Sequence, residues 1–318
     1  MAQQSDEPCR HKPSVDSPLY AWLQMLRPPN LLTVPGDPLA GYLLASTTAG
    51  AAAHVGLGPV VLAAIAGLLL YAGGLLQNDY FDLAEDRLQR PSRPLPSGRA
   101  NPRIAITAAF AMGSLGVLGA TVASSASGLA AAALFICMTA YNAGGKRLRG
   151  IGVILMGTCR GLNLLIGAAL LGYAGLRPPT VALSAVGMLL LVASITRIAS
   201  GETQAARLGM QRWLPALALA AWLTPLSALF PLASHSERWV AIGLSGWAVV
   251  WMVYCGSLLE GRPAPALVQA TIGRFVSGLL FVQAALSAHG EPLGLVVSAG
   301  LLLAWPVSRW AGKRFYAS

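Results

Sequence analysis

Long apolar blocks separated by short polar connections set the pattern of this chain. Blocks such as GPVVLAAIAGLLLYAGGLL (58–76) and VALSAVGMLLLVASI (181–195) carry no charge. A bilayer core needs about 20 apolar residues in a helix, and several blocks reach that length. Ten hydrophobic segments are read, at 29–49, 55–79, 102–122, 126–142, 152–173, 179–198, 212–232, 237–258, 266–288 and 292–309. Arg274 interrupts the ninth, which leaves nine or ten transmembrane helices. The pattern predicts an all-α membrane protein with one transmembrane domain over 19–318. The first 18 residues read as a disordered polar tail without the apolar core of a signal peptide.

Composition agrees. Charged residues make up 11% of the chain, against about 25% in an ordinary soluble domain. The net charge of +10 raises nucleic acid as a partner, but the distribution excludes it. Basic residues fall in alternate connections, the signature of membrane topology. Eighteen lie on one side, beginning with Arg10, Lys12 and Arg27 and ending with Arg309, Lys313 and Arg314; Arg177 and Arg238 alone lie on the other. This bias predicts a multi-pass protein of the cell (inner) membrane with both termini and the charged connections cytoplasmic. Cys9, Cys137, Cys159 and Cys255 show no CxxC or metal spacing, and no disulfide is expected.

One stretch breaks the apolar pattern. NDYFDLAEDRLQRPSRPLPSGR (78–99) holds Asp79, Asp82, Glu85 and Asp86, a third of the chain's 12 acidic residues, beside Arg87, Arg90, Arg93 and Arg99. At 100° per residue Asn78, Asp79, Asp82, Glu85 and Asp86 share one helical face. A charge buried at the centre of a bilayer helix costs about 2.5–3.5 kcal/mol, so these carboxylates need a counter-charge. Converging hard oxygens suit Mg²⁺, which takes one or two carboxylates and completes its shell with substrate phosphates. A solvated helix end with Asp–Arg pairs meets the same need. Other segment ends favour the first reading. YNAGGKRLRG places Tyr141, Asn142, Lys146, Arg147 and Arg149 after the fourth segment, and GTCRGLN places Arg160 and Asn163 inside the fifth. Ionisable residues inside a membrane mark functional sites, and Lys and Arg facing a metal-binding acidic face describe a diphosphate site.

The form NDxxDxxxD with its RPSRPLPSG tail, RPPN (27–30) opening the first segment and YNxxxKR after the fourth resemble the UbiA superfamily of intramembrane prenyltransferases. The layout LRPPNLLTVPGDPLAGYLL … LMGTCRGLNLLIGA looks closest to its EboC-like branch. The resemblance covers nearly the whole helical region. It implies a UbiA-like helical bundle around a central cavity, in which a polyprenyl diphosphate bound through Mg²⁺ ionises to an allylic cation that an acceptor attacks. The acceptor stays unidentified. By residue matching, Asn78, Asp79, Asp82 and Asp86 would hold metal, and Lys146 and Arg147 the leaving diphosphate. Tyr141 would steady the cation through its ring face. Arg27, Asn30, Arg93, Asn142, Arg160 and Asn163 would complete the substrate site.

The second motif departs from the family. Where something like RDxxGD ends the sixth helix, this chain reads RIASGE (197–202). Arg197 and Glu202 fit, as a diphosphate and a metal ligand respectively, but Ile198 stands where a carboxylate belongs. A terpene cyclase on the same scaffold, and a non-catalytic transporter or membrane scaffold, are the rival functions. Transport predicts ionisable residues near mid-membrane in both halves, whereas most here cluster at segment ends. His54 and His289 read as interfacial residues of the opposite surface, and Trp213, Trp239, Tyr254 and Trp310 as interface anchors.

Overall fold

The computed structural model describes residues 17–49, 55–148, 150–200, 208–229, 235–289 and 292–315. Thirteen α-helices follow one another: α1 (Pro18–Leu26), α2 (Pro28–Leu31), α3 (Gly36–Ala49), α4 (Leu57–Phe81), α5 (Leu83–Gln89), α6 (Pro102–Ala123), α7 (Ser125–Ala143), α8 (Ile151–Ala168), α9 (Pro179–Ala199), α10 (Leu214–Leu229), α11 (His235–Ser257), α12 (Pro265–Ser287) and α13 (Pro292–Phe315). Among the described residues there is no strand. Nine of the ten apolar segments each correspond to one α-helix, and the first falls on two, α2 and α3. Eight are long and apolar enough to cross a membrane; α3 and α10 are the short ones, with 14 and 16 residues. Arg274 does not interrupt the ninth segment, because α12 runs unbroken through it for 23 residues.

The first segment is not one helix. Pro28 and Pro29 follow Arg27, and a residue before proline is steered out of the α region. Arg27 takes φ 47 and ψ 67, closing α1 with its N–H on the Leu23 carbonyl. It is the single positive-φ residue other than glycine among those described. A second break separates α2 from α3 at 32–35, where Pro35 lacks the N–H that would continue the helix. Inside a membrane such a break leaves carbonyls that neighbouring helices must satisfy.

Small residues set the close crossings. At the α4–α6 contact a Cβ on Gly73 would lie 2.7 Å from the Ala109 carbonyl oxygen, so only glycine lets these backbones meet. Apolar packing divides into a large cluster across α3 and α8–α12 and a smaller one across α3, α4 and α6–α8. Large apolar side chains also point outward: Val122, Ile136 and Leu303 are 70%, 70% and 72% exposed, as a lipid-facing surface requires. Ser308 Oγ near the end of α13 donates to the Pro29 carbonyl (3.0 Å) at the charged end of the bundle. At the other end Thr47 Oγ1 donates to the His289 carbonyl (3.4 Å).

Candidate active site

The carboxylate-rich stretch sits at the charged end of α4. Helix α4 closes at Phe81, and Asp82 (φ −89, ψ −2) joins it to α5. The backbone bonds Asp82 N–H to Asn78 C=O (3.0 Å) and Asp86 N–H to Asp82 C=O (2.8 Å) carry the turn across the joint. Asp79 and Asp86 are buried and Asp82 is half-buried, while Glu85 turns to the exposed side, off the face expected of it.

Each of the three carboxylates meets one base. Arg27 lies 2.7 Å from Asp79, Lys146 2.5 Å from Asp82, and Arg93 2.8 Å from Asp86. Lys146 also donates to Asn78 Oδ1 at 3.0 Å. The bases come from three places in the chain: the α1–α2 break, the turn after α7, and the loop between α5 and α6. That loop is tied down. Leu95 is buried with Met25 and Leu76, and Arg99 donates to Gln24 Oε1 (3.1 Å) and the Ser92 carbonyl (2.6 Å). Asn101 caps α6 by accepting from the N–H of Arg103 (2.9 Å).

Among the described residues no three Asp, Glu, His or Cys side chains stand together as a metal cage. Mg²⁺ needs none, since one or two carboxylates serve when substrate phosphates complete the shell. Asp79, Asp82 and Asp86 supply such carboxylates, so the donor set fits that ion. Glu202 lies outside the described residues, as do Arg149, Arg207 and His54.

Behind these pairs opens a cavity of about 420 Å³. Arg27, Asn30, Asn78, Asp79 and Arg93 line its mouth, with Tyr141 and Asn142 just inside. Val192, Ile195, Ile272, Val276 and Leu279 make an apolar wall from α9 and α12. Asn142 also pins α7 to α4 by donating to the Gly74 carbonyl (3.1 Å). Arg147 and Arg197 are exposed, and Arg197 donates to Ser200 Oγ (3.3 Å); neither is among the cavity-lining residues, and Asp82, Asp86 and Lys146 reach the site only through the pairs beside it. Ile198 is fully buried in the large apolar cluster. The cavity face of the α9 end is carried by Thr196 and Ala199 instead.

Deeper in, the structure brings together a polar cluster that sequence reasoning half found. Asp37, with no exposed surface, accepts from Arg160 (2.5 Å) and Asn163 (2.9 Å) on one oxygen and from Gln283 (2.5 Å) on the other. The same donors satisfy the α2–α3 break. Arg160 and Gln283 reach the Thr33 carbonyl (3.3 and 2.6 Å), and Asn163 reaches that of Val34 (3.1 Å). Arg160 and Asn163 line the cavity, but these donors are committed to the broken helix. The Arg160 guanidinium also lies 5.4 Å from the Tyr71 ring centroid. Asp37 and Gln283 were missed. The signal for Asp37 was a lone acid beside a proline pair in an apolar segment.

Elsewhere among the described residues, Cys137, Cys159 and Cys255 are free thiols. His289 lies at the end of the bundle opposite the charged one, as expected, with its side chain buried, and burial pulls its pKa down to about 4.

The UbiA prenyltransferase family model matches residues 39–314. The digeranylgeranylglyceryl phosphate synthase of Methanopyrus kandleri is 35% identical over 154 residues, 48% of this chain and 53% of the relative. The chain thus spans about half the length of that curated relative. Two solved structures share the fold. A UbiA homolog from Archaeoglobus fulgidus bound to DMAPP and Mg²⁺ aligns with TM-score 0.57 at 19% identity, covering 90% of this chain and 98% of the other. The apo UbiA homolog from Aeropyrum pernix K1 aligns with TM-score 0.61 at 18% identity, covering 80% and 96%. These relatives do not carry the finer likeness to the EboC-like branch. With a family match over most of its length on a bundle of the same fold, the chain belongs to the UbiA prenyltransferase family.

Proposed function

We propose that this protein is a Mg²⁺-dependent prenyltransferase, which ionises a prenyl diphosphate at the charged mouth and transfers the prenyl group to an acceptor within the membrane. The carrying observation is the group of three acid–base pairs, Asp79–Arg27, Asp82–Lys146 and Asp86–Arg93, of which Arg27, Asp79 and Arg93 line a cavity with an apolar inner wall. Mg²⁺ held by these carboxylates would draw negative charge off the departing diphosphate. Lys146 and Arg27 supply further positive charge where the leaving group develops its own. Arg93 holds Asp86 in place. The apolar wall from α9 and α12 excludes water, which would otherwise quench an allylic cation. Tyr141 stands between mouth and wall, where its ring face can steady that cation; a face of Tyr71 is already taken by Arg160.

The solved homolog from Archaeoglobus fulgidus bound to DMAPP and Mg²⁺ supports the donor and the ion. The name of the Methanopyrus kandleri relative makes a glyceryl phosphate lipid the first acceptor to test. The cation bias supports a cytoplasmic placement of the mouth in the cell membrane. The test is incubation of the purified protein with prenyl diphosphates, with and without a glyceryl phosphate lipid, followed by mass spectrometry. Mg²⁺-dependent transfer is expected. Diphosphate consumed to a hydrocarbon without acceptor would instead show a cyclase, and no consumption under any condition would overturn the reading.

A further inference from the structure

The outer face of α12 carries a charge that the chemistry proposed for the cavity does not use. Gln269, Ile272, Gly273, Val276 and Leu279 line the cavity. At 100° per residue Arg274 stands on the opposite face of the same helix. It is half-buried, nine residues past the start of α12 at Pro265, or about 14 Å along the axis. An ionisable group at such depth is costly and marks a functional site.

Three helices frame this position. The Trp251 indole of α11 donates to the Arg274 carbonyl (3.0 Å). One turn further along α12, Gly278 approaches Trp251 so closely that a Cβ there would collide with the ring. Trp305 of α13 stands edge-on to Trp251, with ring centroids 5.3 Å apart. Arg309 follows Trp305 by one turn on the same face of α13, toward the charged end. Arg274 and Arg309 are close enough for each charge to act on the other.

Neither charge is balanced among the described residues. The Arg274 guanidinium donates to the Thr271 hydroxyl (3.3 Å), a neutral group of its own helix. Arg309 makes no hydrogen bond or ion pair there. Glu260, just past the end of α11, is taken by Arg212 (3.5 Å). The buried indole N–H of Trp305 also lacks an acceptor. Donors and positive charge therefore gather between α11, α12 and α13 without an acceptor of the protein's own. Tyr254, in ring contact with Trp251 (5.5 Å), is exposed, as are Val253 and Val307, so the place is reached from the lipid side.

We propose that this face binds the phosphate of an anionic membrane phospholipid, with Arg274 and Arg309 holding the headgroup. A guanidinium fork matches a phosphate in shape and charge, and basic pockets between transmembrane helices take such headgroups. Arginine stems bridge the step from helix to interface. Phe281, two turns deeper than Arg274 on the same face of α12 and 5.3 Å from Trp305, supplies an apolar surface for the acyl chains. Two uncompensated positive charges favour an anionic headgroup over a zwitterionic one.

The test titrates the full-length protein in detergent with dioleoyl phosphatidylglycerol or dioleoyl phosphatidylcholine and counts bound lipid by native mass spectrometry. Phosphatidylglycerol is expected to bind about 30-fold more tightly, about fivefold for each arginine near a membrane surface. Arg274→Gln and Arg309→Gln should each lower the preference to about fivefold, and the double variant should remove it. Arg103→Gln, which changes an exposed arginine of α6, should leave it unaltered. In the unaltered protein a phosphatidylglycerol carrying a headgroup diazirine should label peptides of α11, α12 and α13, a readout that needs no variant to fold. Equal binding of the two lipids, an equal loss with Arg103→Gln, or labelling confined to other helices would overturn the site. Displacement of the labelled lipid by inorganic phosphate as readily as by phosphatidylglycerol would assign the arginines to a soluble anion and overturn the lipid reading.

Discussion

At the residue scale, Asp82 and Asp86 differ in what surrounds them, and the difference predicts different mutant behaviour. The Asp82 side chain is 18% exposed and Asp86 only 6%. Asp82→Asn keeps shape and loses charge at a partly solvated site. We predict a loss of turnover of at least 100-fold, about 2.7 kcal/mol of transition-state stabilisation, with thermal stability nearly unchanged. Asp86→Asn should lose turnover as well, and should also melt lower, because Arg93 would keep a largely desolvated charge without its partner. Turnover and melting measured on both variants check this; normal Mg²⁺-dependent turnover in either would remove that residue from the site. The second motif gives a sharper contrast. Its family pattern places a carboxylate at Ile198, but Ile198 is fully buried among apolar side chains while Ala199 faces the cavity. We predict that Ile198→Asp costs about 3 kcal/mol or more, the scale of an uncompensated buried charge, whereas Ala199→Asp still yields folded protein. Comparable melting temperatures for the two would contradict the observed register of α9.

At the element scale, the broken first segment explains why a membrane bundle keeps an ion pair in its interior. The break frees the Thr33 and Val34 carbonyls, and Arg160, Asn163 and Gln283 take them up while sharing Asp37. Removing one member leaves the others desolvated and unpaired. We predict that Asp37→Leu and Arg160→Leu each destabilise the protein by about 3–5 kcal/mol, and that the double variant carrying both costs less than the sum, as for other buried pairs. Unfolding measured on the three variants gives the coupling; strict additivity would mean that the pair does not act as a unit. The same elements show what was legible in the sequence. The ten apolar segments were, because each must present a long apolar surface to lipid. The acid-rich turn was, because charge at the end of such a segment is costly enough to stand out. The break over 32–35 had its signal in Pro28, Pro29 and Pro35. The partners of Asp37 had none: Arg160 and Gln283 lie 123 and 246 residues away in the chain, and only the packing of α3 against α8 and α12 brings them together. Arg160 was singled out as an ionisable group inside the membrane, but its role in healing a helix appears only when the break is seen.

At the scale of the whole molecule, charge and shape are arranged along one axis. The three acid–base pairs and the cavity mouth share one end of the bundle. Trp239, Tyr254 and Trp310 are 66%, 47% and 55% exposed, as aromatic residues that sit at a membrane surface should be. Along the sequence, 18 of the 22 Lys and Arg fall in one alternating set of connections and two in the other; Arg160 and Arg274 lie within helices. Such a bias orients a polytopic protein with its basic connections in the cytoplasm. A ten-helix path also returns the chain to the end at which it began, and the bond from Ser308 to the Pro29 carbonyl shows the last helix finishing beside the first. We therefore predict that reporters inserted within residues 88–101 and fused after Ser318 both read cytoplasmic, and that one inserted beside Arg177 reads on the opposite side. A C-terminal reporter on the opposite side would require an odd number of crossings. The unbroken α12, with Arg274 inside it, would then have to leave the membrane, although its continuous helix and its contacts with α3, α11 and α13 argue that it crosses.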